Sequence, residues 1–139
     1  MSSGGNSGSQ ATSLIIRALA LNEVKLSDWW RILARELRTG VVLGAILGVI
    51  GIIRITLWQE YHIFDYGPHW QLIAATVAAA LVGIVTFGSV AGAMLPFALK
   101  RLGFDPASAS APFVATLVDV TGLVIYFTIA YAILKGTLL

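Results

Sequence analysis

The chain has 139 residues, of which 58% are hydrophobic and 12% charged, and its mean hydropathy is +0.86. A soluble domain carries about 25% charged residues, so this composition excludes an ordinary water-exposed globule and requires lipid around one compact domain. The net charge is only +2, and the absence of cysteine excludes a disulfide framework and a thiolate metal site.

Met1-Ser2-Ser3-Gly4-Gly5 lacks the basic and apolar regions of a signal peptide, so no cleavable leader is expected there. Gly4 to Gln10 is rich in glycine and polar residues, and Ala11 to Leu21 is apolar apart from Thr12, Ser13 and Arg17. By composition this start reads equally as a flexible linker or as a helix over about 4–22 whose polar end lines a wet cavity. Asn22 to Arg38 is a connection bearing Lys25, Arg31, Arg35 and Arg38. Within it, Ser27-Asp28 is positioned to cap an amphipathic interfacial segment, Trp29 to Leu37, with Trp29 and Trp30 at headgroup depth.

Three spans follow. Thr39 to Gln59, within a helix predicted over about 36–60, carries only Arg54, near one end where its stem can snorkel. Trp70 to Leu99, within a helix over about 69–100, has no formal charge and exceeds the roughly 20 residues needed to span a bilayer. Pro106 to Leu134, within a helix over about 106–135, has Asp119 as its sole charge. The fold class is therefore an all-α integral membrane bundle, with 1–139 a single transmembrane domain.

The Asn22–Arg38 and Lys100–Pro106 connections, with Arg17, hold seven of the nine Lys and Arg. The Glu60–His69 loop holds none. The positive-inside rule then puts the first two in the cytoplasm, and the 60–69 loop and Lys135 outside. This accounts for the basic residues without a nucleic-acid partner. His62 and His69 flank a Gly-Pro turn in the outer loop, have no supporting ligand cluster, and read as solvated loop residues.

Gly40, Gly44 and Gly48 recur every four residues, as do Gly88 and Gly92, and Ala75, Ala79 and Gly83. Such stripes let helix backbones approach closely. Pro96 lies near a helix end, where a kink or early termination is tolerated.

Asp119 is 13 residues beyond Pro106, roughly 20 Å into its helix at about 1.5 Å per residue. An ionised acid at mid-membrane costs at least about 2.5–3.5 kcal/mol, so it must face water, a cation, a basic group or another buried polar group. Arg54 is too near the surface for a direct salt bridge. Pro112, Ala115, Thr116, Gly122, Leu123 and Tyr126 share its face, and the small ones leave room for water and backbone carbonyls. That is a cation site in outline.

These residues carry a family resemblance. Asp105-Pro106-Ala107-Ser108-Ala109-Ser110-Ala111-Pro112, continuing through Thr116 and Asp119 to Leu123, closely resembles the last transmembrane helix of MgtE-type magnesium channels. Gly4 to Gln10 followed by Ile15 to Ala20 resembles that family's second helix, and Gly92 to Pro96 the end of its fourth. The resemblance spans essentially the whole chain and makes the glycine-rich start a helix, giving four of the family's five. It implies a homodimer with one pore on the two-fold axis. It also implies a hydrated Mg2+ bound by Asp119, with the Ala115 and Gly5 carbonyls and the Asn6 and Ser9 side chains close by. Mg2+ dehydrates reluctantly, so oxygen acceptors that grip its water shell suit it. Ser9 and Ala111 depart from the asparagine expected in some relatives, which leaves Mn2+ or Co2+ open as cargo beside Mg2+. The resemblance also implies a first helix, cytoplasmic sensor domains and paired CBS modules preceding Met1.

Two rival readings differ in class. Asp119-Val120-Thr121-Gly122 faintly resembles an aspartic-protease turn, but a continuous helix and the lack of a second mid-membrane acid argue against an enzyme. A non-conducting assembly subunit would pack through the glycine stripes, with Asp119 bonding a neighbour. Its stability would not respond to millimolar divalent cation.

Overall fold

Glycine costs about 1 kcal/mol per residue relative to alanine inside a helix. Gly4, Gly5 and Gly8 therefore do not favour a helix by themselves. In the computed structural model they nonetheless lie in one, α1 (Ser2–Ala20), because each faces a neighbouring helix. The structure describes residues 2–61, 67–108 and 111–136. Among these, α1 is followed by α2 (Trp29–Glu60), α3 (Trp70–Arg101) and α4 (Ala111–Leu134), with short 3-10 turns at Leu26–Asp28 and Pro106–Ser108. Three segments are long and apolar enough to cross a membrane: Leu26–Glu60, Trp70–Arg101 and Ala111–Leu134.

The interfacial segment expected over Trp29 to Leu37 is not a separate element. It is the first turns of α2, because Leu33 to Leu37 are helix formers and no Gly or Pro divides them from Thr39. Nor does Asp28 cap α2 with its side chain. Its carboxylate instead accepts the Lys25 backbone N–H at 2.9 Å and the Arg31 guanidinium at 2.9 Å. The last helix begins at Ala111, and the Pro106 turn ahead of it is 3-10. At 32 residues each, α2 and α3 are about 48 Å long, so their ends project well beyond a hydrocarbon core of about 30 Å.

The glycine contacts fix the directions. Gly40 meets Thr86, Gly44 meets Val82 and Gly48 meets Ala78, so α2 and α3 are antiparallel. Gly88 lies against Gly4 and Gly92 against Gly8, so α1 runs parallel to α3. Gly4 and Gly8 also touch Val118 and Val114, with α4 antiparallel to both. α3 is thus the central helix, touching the other three, while α2 packs on it from one side. The surface that receives the α2 glycines is Ala78, Val82 and Thr86. The expected Ala75–Ala79–Gly83 stripe plays a different part: Ala75 is exposed, and Gly83 turns toward Ile125 and Ile129 of α4.

Pro96 neither ends nor interrupts α3, which continues to Arg101. Proline has no N–H, so the carbonyl four residues earlier, Gly92, loses its helical donor. The fully buried Thr12 of α1 replaces it, its hydroxyl donating to Gly92 O at 2.6 Å. The helix is ended just past Arg101 instead. There Phe104 N–H bonds Leu99 O at 2.9 Å and Gly103 N–H bonds Lys100 O at 3.1 Å, a Schellman motif whose left-handed residue is Gly103, at φ 87°. Ala11, Ile15 and Leu19 of α1 close this end against Ala93 and Phe97.

A candidate cation site on Asp119

Val114 and Val118 are fully buried and fill the space beside Gly4 and Gly8. Their packing fixes the rotation of α4. It turns the next residues round the helix, Ala115 and Asp119, toward the edge of α1, where both are half-buried. Gly122 is buried, while Pro112, Thr116 and Leu123 are exposed.

Gly5 is the residue that admits the acid. A Cβ there would stand 2.6 Å from Asp119 Oδ1 and 3.3 Å from the Ala115 carbonyl oxygen. The site therefore gathers a carboxylate, the Ala115 carbonyl and the α1 backbone at Gly5 into one contact. Asp119 Oδ1 is buried and has no hydrogen-bond partner among the described residues. Arg54 offers none, because its guanidinium lies 4.4 Å from the Trp58 ring centroid on an exposed face of α2. A buried acceptor without a donor is costly, and a carboxylate far more so, unless water or a cation completes it.

Of the other predicted residues, Ser9 contacts α4 and Asn6 does not. Ser9 is half-buried, and its hydroxyl donates to Ala111 O at 3.0 Å. Its proton is thus committed to α4, leaving its lone pairs as acceptors. Ser9 and Ala111, the two departures from the expected asparagines, are therefore partners in one bond. Asn6 is exposed on the outer side of α1. Ser2, Asn6, Gln10, Ser13 and Arg17 are all exposed and follow one another at helical spacing, giving α1 a polar outer stripe. Such a stripe is incompatible with lipid tails and calls for water or protein.

Among the described residues no three His, Cys, Asp or Glu side chains converge. The described residues therefore form no closed cage of carboxylates and imidazoles, and their oxygen donors suit a hydrated hard cation better than a bare one. His69 directly precedes α3, its carbonyl accepting the Ile73 N–H at 3.1 Å, and His62 lies outside the described residues. Sequence reasoning missed two contacts between α1 and α3, the buried Thr12 with Gly92 and the part-buried Ser7–Ser89 hydroxyl pair. For the first a signal existed: any helical proline orphans the carbonyl four residues before it. Asp119 lies inside a continuous helix, unlike the turn a protease would need.

Comparison with known proteins agrees with this architecture. Residues 1–129 match the MgtE family, described as a divalent cation transporter. The magnesium transporter MgtE of Thermus thermophilus is 42% identical over 136 residues, covering 98% of this chain and 28% of the relative. Those of Enterococcus faecalis and Bacillus subtilis are 36% and 34% identical, over 91% and 95% of this chain. The chain spans only 26–28% of the length of these relatives. With four helices, three of them fit to span a bilayer, and a family match over nearly its whole length, this chain belongs to the MgtE family of divalent cation transporters, a family of transporters rather than enzymes.

Proposed function

We propose that this chain forms part of a Mg2+ permeation path in which Asp119 holds the hydrated ion. The observation that carries the reading is the buried, unpartnered Asp119 oxygen pressed against Gly5. The Ala115 and Gly5 carbonyls accept hydrogen bonds from the ion's waters, joined by the Asn6 amide oxygen and the Ser9 lone pairs. Water bound to a dication is a strong donor, so a shell of acceptors is the complementary lining. The same lining admits Mn2+ or Co2+ in so far as it senses charge and water rather than the bare ion.

The polar outer stripe of α1 supports a second copy of the chain facing it across a two-fold axis, which makes the site a pair. Two carboxylates facing each other across that axis repel, and a dication between them relieves the repulsion. With the basic end of the bundle in the cytoplasm, the inside-negative potential favours inward movement by about 2.3 kcal/mol per charge per 100 mV. Transport then needs no chemical fuel. The regions that the longer relatives possess beyond this match supply any cytoplasmic sensing.

The test is a thermal unfolding titration of the full-length protein in detergent with Mg2+, beside Asp119→Asn. A ligand at a hundred times its dissociation constant adds about 2.7 kcal/mol to a folded state that alone binds it. The parent is expected to show that shift and Asp119→Asn to lose it. An equal shift in both would remove Asp119 from the ion site. No shift in either would favour a packing role.

A further inference from the structure

Two hollows meet on α3 at the basic end of the bundle. The larger, about 490 Å3, lies between the Leu26–Asp28 turn, the start of α2 and the end of α3. Ser27, Trp29, Met94, Phe97, Ala98 and Arg101 line it. The smaller, about 270 Å3, runs between α3 and α4 along Ala91, Leu95, Val114 and Leu117, and shares Met94 and Ala98 with the first. Ala91 is seven residues before Ala98, so the second hollow leads about 10 Å deeper toward the bilayer centre.

The pair has a polarity. The mouth carries Arg101 and the Ser27 hydroxyl, and the inner hollow is lined only by apolar side chains. Arg101 is exposed and makes no ion pair among the described residues, where the one salt bridge is Arg31–Asp28. This end of the bundle holds seven basic side chains against four acidic ones, so it has a cationic excess. Trp29 stacks on Trp30 with ring centroids 4.1 Å apart, the aromatic pairing of a headgroup region. A basic mouth between transmembrane helices, at headgroup depth and continuous with an apolar slot, matches a lipid in shape and charge.

We propose that this double hollow binds an anionic diacyl phospholipid, its phosphate on Arg101 and Ser27 and one acyl chain along the slot between α3 and α4. A soluble phosphate compound would use only the mouth, and a zwitterionic lipid would lack the net charge that Arg101 answers. The acyl chain rests on the exposed Leu117, within one turn of Ala115, so the lipid touches the helix that carries Asp119.

The test uses delipidated full-length protein in detergent, titrated with dioleoylphosphatidylglycerol and, separately, dioleoylphosphatidylcholine, with binding read by native mass spectrometry. The glycerol lipid is expected to bind more tightly. Arg101→Gln should weaken it about fivefold, the value of one basic contact at a membrane surface, and leave the choline lipid unchanged. Ala98→Trp, at an exposed position shared by both hollows, should weaken both lipids. Equal binding of the two lipids by the parent, or a preference that survives Arg101→Gln, would overturn the proposal. So would lipid affinities that Ala98→Trp leaves unchanged, or inorganic phosphate displacing the bound lipid at equal concentration. None of these readouts uses Mg2+, so failure here leaves the Asp119 reading intact.

Discussion

Replacing Gly5 by alanine adds one methyl group at the most sensitive point of the candidate site. The new carbon would stand 2.6 Å from Asp119 Oδ1, which is well inside contact distance, and 3.3 Å from the Ala115 oxygen. The carboxylate is the end of a side chain and can rotate away, at about 0.5–1.5 kcal/mol for an off-rotamer angle. Alanine returns up to about 1 kcal/mol of helix propensity. The two nearly cancel, so apo stability should stay within about 1 kcal/mol of the parent. Ion binding should not. Losing one charge-assisted bond to the ion's water costs about 1.5–3 kcal/mol, or roughly 10- to 150-fold in affinity. At a Mg2+ concentration that stabilises the parent by about 2.7 kcal/mol, Gly5→Ala should gain only about 0.3–1.3 kcal/mol. The assay is chemical or thermal unfolding in detergent at fixed Mg2+, with Gly92→Ala as control. There the added carbon would strike the Gly8 backbone carbonyl, which cannot rotate away, so apo stability itself should fall. A full Mg2+ response in Gly5→Ala, or an apo loss as large as that of Gly92→Ala, would refute the reasoning.

Other outcomes follow from the packing. Thr12→Val should destabilise by about 1–3 kcal/mol, since it strands the buried Gly92 carbonyl, and Pro96→Ala in the same background should restore most of that by returning an N–H. A double-mutant unfolding cycle measures the coupling. Gly44→Ala brings a carbon 2.6 Å from Val82 Cα and should cost about 1–3 kcal/mol, whereas Gly51→Ala meets only side-chain methyls, the nearer being Val77 Cγ1 at 3.3 Å, and should be nearly neutral. Ser9→Ala should leave folding within about 1 kcal/mol while weakening the Mg2+-induced shift.

The three spans and the acid were legible because lipid imposes a crude and strong code: long uncharged runs, and one charge that has no business there. The four-residue glycine spacing likewise marked α2 as a close-packing helix. What faces what was not legible. Ala78, Val82 and Thr86 contain no glycine and are divided by the larger Val82, yet they receive Gly48, Gly44 and Gly40, because a glycine groove accepts a moderate ridge. The face of Asp119 was judged from its own small residues, but it is Val114 and Val118, locked beside Gly4 and Gly8, that set the rotation of α4. Composition alone also left α1 undecided, because its helix is stabilised by neighbours about eighty or more residues away rather than by local propensity.

That last dependence has a consequence for biogenesis. α1 is too polar to be counted among the segments fit to cross a bilayer, and its glycines have no docking surface until Gly88, Gly92, Val114 and Val118 exist. Gly8 and Gly88 are separated by 80 residues, which at about 5–20 residues per second is roughly 4–16 seconds of synthesis. During that interval α1 must wait in the translocation machinery or at the membrane surface. Its entry is then a late step, driven by α3 and α4 arriving to cover it. A ribosome-bound chain halted before α4 should accordingly leave the face of α1 that carries Gly8 and Ala11 open to aqueous labelling reagents that the finished protein excludes there.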